Sequence, residues 1–126
     1  MRTTEDLKRR YLARLRGERA VGETRCAAYL AQSCTDDANL EKIRLNIIDI
    51  FATLVHATHP ACGEDPYEDY RRAYLARFDT IPANWRQRLE EASAHGDISA
   101  AAVETLKLET ADRLRSIFLE EAGEEQ

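Results

Sequence analysis

Apolar residues recur at every third or fourth position along this 126-residue chain, and no segment alternates apolar with polar long enough to predict a strand. Leu7, Tyr11 and Leu15 predict a helix over residues 4–16, with Glu5 and Asp6 in the first turn, where the helix dipole favours acids. Gly17 and Gly22 weaken the pattern. A segment over 18–33, with Val21, Ala27, Leu30 and Ala31 inward, either follows the first helix or continues it. The most regular stretch is 36–58, where Leu40, Ile43, Ile47, Ile50 and Leu54 form a stripe that Ile48, Phe51 and Val55 widen. Thr35 or Asp36 is its expected cap, and Pro60 ends it by pushing the preceding residue away from helical dihedrals.

Asp65, Pro66 and Glu68 spell a helix start: a capping carboxylate, a proline in the first turn and the acid that completes a capping box. Tyr67, Tyr70, Tyr74 and Phe78 make its inward face aromatic. A shorter helix runs from Pro82 to just before Gly96, with a narrow strip of Trp85, Leu89 and Ala92. The last helix, 99–121, is capped by Asp97 or Ser99. Val103, Leu106, Thr110, Leu114 and Ile117 form its main stripe, and Ala101, Leu108 and Leu119 form a second one roughly opposite. The expected fold is therefore all-α: one compact bundle of five to six helices over residues 1–126, centred on 36–58 and 99–121. Two apolar faces on one helix point to a homo-oligomer, with a dimer the commonest form.

Composition agrees with a folded domain: 44% apolar and 33% charged residues exclude a disordered chain, and 126 residues suffice for one core. The first residues carry charge instead of the apolar run of a secretory leader, and no stretch of about 20 apolar residues predicts a membrane span. Three cysteines are too few and too odd for a disulfide scaffold, so the expected setting is the cytoplasm. Fifteen arginines against three lysines suggest a bacterial genome's bias more than a function.

The net charge of −5 is unevenly spread: residues 1–25 sum to +4 and the remainder to −9, ending in an acidic tail over 120–126. Lys8, Arg9, Arg10, Arg14 and Arg16 on the basic helix 4–16 are the candidates for nucleic-acid binding. Glu5 and Asp6, four residues before Arg9 and Arg10, argue for an ordinary solvated face instead, and head and tail can equally neutralise each other.

A second candidate is the segment containing His56, His59 and Cys62, whose nitrogen and sulfur donors suit zinc but lack an evident fourth ligand. Tyr67, Tyr70, Arg71, Tyr74 and Arg77 combine residue types enriched at protein interfaces, and Leu108 and Leu119 mark the second face of the last helix. No catalytic motif is present; Gly17 and Gly22 copy the glycine spacing of a phosphate loop but with Glu23 where its lysine belongs. The expected function is a non-enzymatic interaction or regulatory module, a homodimer that acts through helix surfaces. The alternatives are a metal-binding bundle, with or without enzymatic activity, and a nucleic-acid-binding protein.

Overall fold

Five helices are present in the computed structural model, which describes residues 3–60 and 63–123: α1 (Thr4–Ala31), α2 (Thr35–Ala57), α3 (Pro66–Thr80), α4 (Ala83–Ala94) and α5 (Ile98–Ala122). There is no strand among the described residues. Side-chain caps begin three of them: Thr3 Oγ1 accepts from the Asp6 amide, Asp65 Oδ1 from Glu68, and Asp97 Oδ1 from Ala100. The expected cap of α2 is not made; its first helical residue is Thr35 and Cys34 stands at the cap position with no side-chain bond.

The two segments expected at 4–16 and 18–33 are one helix. A glycine inside a helix costs about 1 kcal/mol relative to alanine, which packing against α2 overrides. Gly22 is buried against α2, where an added Cβ would lie 2.8 Å from Leu45 Cδ2. Continuity also sets the phase. Leu7, Tyr11, Leu15, Gly22 and Cys26 face inward, so Val21 and Leu30 fall about a quarter turn to either side and are half exposed, while Ala27 and Ala31 face solvent. The stripe of α2 is rotated in the same way: Ile47, Ile48, Phe51 and Val55 are buried, and Ile50 is 40% exposed.

The chain runs up α1, down α2, up α3 and α4, and down α5. Arg19–Asp49 and Arg25–Glu41 pairs align α1 with α2, and Arg14–Glu121 and Arg113–Glu18 align α1 with α5. Along α5, Tyr67 of α3 meets Ala122, Tyr74 meets Phe118, and Trp85 of α4 lies beneath Lys107. α3 and α4 thus form one broken arm. Pro82, fully buried at the break, supplies no amide to continue α3.

The core is aromatic and belongs to one end of the bundle. Tyr11, Phe51, Tyr70, Tyr74 and Phe118 are at most 1% exposed. Tyr74 packs edge-on to Tyr11 and Phe78, and Phe51 stacks on Phe78 with centroids 4.5 Å apart. Tyr70 donates to the Val55 carbonyl at 2.6 Å and Tyr74 to that of Phe51 at 2.8 Å, so the phenols pin α3 to α2. No helix of the described residues is long and apolar enough to cross a membrane.

Candidate functional site

The opposite end, where the α1–α2 turn and the α4–α5 turn lie together, is built differently. Ser33 and Gly96 carry positive φ at these turns, 60° and 68°. Glycine takes that conformation without strain, which is why α4 stops one residue before it. The continuous core does not reach this end. Its buried side chains are small, as in Cys26, Ala38 and Ala92, or charged, as in Glu41 and Glu104.

A carboxylate removed from water needs a cation or hydrogen-bond donors. Glu41 Oε2 accepts from Arg44 Nε at 2.9 Å, and its Oε1 lies 3.7 Å from Arg25 of α1. These groups form one wall of a cleft of about 190 Å³ that also holds Tyr29, Asp37 and Leu106. Glu104 is less completely served. Its Oε2 lies 3.4 Å from Lys107 Nζ, which also sits 5.9 Å from the Trp85 ring centre, but its buried Oε1 has no partner among the described residues. Glu104 and Ala92 floor a second cleft, of about 300 Å³, rimmed by Arg88, Glu91, His95 and Asp97 from α4 and the turn after it.

Neither glutamate stood out in the sequence, although a signal was there. Glu41 shares a seven-residue spacing with buried Ile48 and Val55, and Glu104 shares one with Ala111 and Phe118. Arg44, which the sequence places within the apolar arc of α2, is half-buried and serves as the partner of Glu41.

The residues singled out from sequence lie elsewhere. Tyr70 and Tyr74 are core residues whose hydroxyls bond backbone carbonyls, and the two hydroxyls of Tyr74 and Tyr11 are 3.1 Å apart. Burial raises the ionisation of Tyr11, Tyr70 and Tyr74 well above the ordinary phenol value. Tyr67 is half-buried and donates to the Ala122 carbonyl at 2.8 Å. Arg71 is 8% exposed and pairs with Glu68, while Arg77 reaches Thr58 Oγ1 at 3.4 Å. This face therefore binds the chain to itself and offers no tyrosine patch to a partner. The same correction applies to α5: Leu119 is buried and Leu108 is half-buried against the core, because all four other helices pack on α5 and together cover more than one stripe.

The basic head is neutralised within the chain. Lys8 pairs with Glu5 and lies over the Tyr70 ring, and Arg9 bonds Asp6. Arg10 reaches Asp6 and the Glu121 carbonyl, and Arg14 lies 3.1 and 2.9 Å from Glu120 and Glu121. Those two carboxylates, Glu121 first, raise the Arg14 ionisation. Arg9 and Arg16 are the two of the five that are exposed. His56 and His59 are exposed at the end of α2, and Cys62 lies outside the described residues. Among the described residues, no group of three or more histidines, cysteines or acids is placed to hold a metal ion. Cys26 and Cys34 are free thiols, Cys26 packed against the Ala38 carbonyl.

Comparison of the chain with family models, with curated proteins and with solved structures finds no match.

Proposed function

We propose that this chain is a non-enzymatic interaction module that pairs with a second copy of itself through the turn end of the bundle. The observation behind this reading is the placement of exposed apolar side chains. Ile98 is 84% exposed at the start of α5 and Leu30 is 50% exposed at the end of α1, each beside one of the turns at this end. Large apolar groups left in water where the internal core runs out are what an oligomer contact covers. This end of the bundle also carries both signs, since exposed Arg25 and Asp37 line the same cleft. Across a twofold axis, one protomer's Arg25 meets the other's Asp37 and the reverse, so the surface complements itself.

Sedimentation velocity on untagged protein across the micromolar range tests this. The expected species has twice the 14.4 kDa chain mass. Leu30→Glu with Ile98→Glu should return it to one chain without loss of helicity. A wild-type protein that sediments as a single chain at every concentration overturns the reading.

A further inference from the structure

We propose that the cleft between α1, α2 and α5 binds a small zwitterion, an amino acid whose ammonium and carboxylate groups are separated by a short apolar chain. Two guanidiniums converge there on one buried carboxylate. Glu41 is 5% exposed and gives one oxygen to each arginine, Oε2 to Arg44 Nε at 2.9 Å and Oε1 to Arg25 Nη1 at 3.7 Å. A guanidinium has five N–H donors, and Arg44 uses only the one on Nε. Its two terminal nitrogens have no bond among the described residues, and neither is sealed from water. Arg25 is exposed and has no second carboxylate among the described residues. Both residues line the cleft, so a buried glutamate holds two sets of unused donors at its wall.

The opposite sign lies on the same face of α2. Asp37 stands one turn before Glu41 and two turns before Arg44, exposed and without a cation partner among the described residues. Seven residues of helix span about 10 Å, and Arg44 shortens that gap by leaning back onto Glu41. Half-buried Leu40, between them in sequence, and Leu106 of α5 supply apolar wall. Donors at one end, a carboxylate at the other and hydrocarbon between them complement an amino acid with its charges several bonds apart. Arg25 and Arg44 balance Asp37 and Glu41, so an occupant bearing one charge alone would leave the cleft unbalanced, whereas a zwitterion keeps it neutral. A volume of about 190 Å³ lies below the roughly 300 Å³ of drug-sized pockets, which limits the occupant to a small molecule. Arg25 and Asp37 also belong to the self-contact proposed above, but this inference does not need that contact.

Isothermal titration with 4-aminobutanoate and 6-aminohexanoate, beside the singly charged hexanoate and 1-aminohexane, tests it. Wild type and the Leu30→Glu/Ile98→Glu variant are both titrated, so that pairing of two copies cannot hide the cleft. One of the two amino acids should bind, at least tenfold more tightly than either singly charged compound. Amide shifts in the NMR spectrum should concentrate on residues 25–29 and 37–44. Arg44→Gln and Asp37→Asn should each weaken binding at least tenfold while helicity holds. Should Arg44→Gln fail to fold, because Glu41 loses its nearer partner, Asp37→Asn on the exposed rim still decides. Absence of binding to both proteins overturns the proposal, as does binding that Asp37→Asn leaves unchanged or that hexanoate matches. Binding by a wild type that sediments as one chain supports this inference while the self-association fails.

Discussion

Three phenols sealed in a helical core make the molecule's stability depend on alkaline pH. Burial is the largest cause that holds Tyr11, Tyr70 and Tyr74 protonated above the ordinary phenol range. The unfolded chain releases these protons near pH 10 and the folded chain does not. The contribution of these three groups is therefore level below that pH and falls above it, by about 1.4 kcal/mol per pH unit for each tyrosine that stays protonated. Absorbance of tyrosinate should rise together with loss of helical circular dichroism; ionisation of all five tyrosines before any unfolding would contradict this. Tyr74→Phe keeps the ring contacts but removes the bond to the Phe51 carbonyl. It should cost about 1–2 kcal/mol in denaturant unfolding, and a loss of only a few tenths would show that the ring alone matters.

At the scale of the element, α1 is the least obvious part of the fold from its sequence. Its middle carries two glycines, only one of which the structure uses. Gly22 lets α2 approach, whereas an added Cβ at Gly17 would meet nothing within 4 Å. Gly17→Ala should therefore stabilise the protein by about 0.5–1 kcal/mol, through helix propensity and a less flexible unfolded chain. Thermal unfolding should shift up by a few degrees; a lower midpoint would mean that the surroundings of residue 17 differ from an open helix surface. The helix starts at Asp65 and Asp97 were legible because capping is local, involving atoms three residues apart. The phase of α1 was not, because a weak pattern leaves the inward face to be chosen by whatever packs on it.

The whole molecule is polarised: an aromatic end closed by Arg14, Glu120 and Glu121, and a turn end with two buried glutamates and exposed Leu30 and Ile98. That division separates two kinds of leucine. Leu119→Ala removes a buried side chain and should cost about 2–4 kcal/mol in denaturant unfolding. Leu30, half in water, should change monomer stability by less than about 0.5 kcal/mol when substituted. Equal losses at the two positions would mean that the core extends to the turn end.

What the sequence by itself determined is the helical class, the absence of strands, most helix ends, and the inward aromatic face of α3. These follow from periodicities of three and four residues and from caps that act within one turn. Only the tertiary structure decided which flank of each helix is covered. It joined the two N-terminal segments, covered Leu108 in part and Leu119 almost wholly on the second stripe of α5, and set the acidic tail residues Glu120 and Glu121 on the basic head. It also buried Glu41, which meets Arg25 of α1, and Glu104, which lies on the α5 side of the cleft with α4. Burial is a property of the surface that two helices share, and a single helix's pattern gives the width of its apolar arc without naming what lies against it.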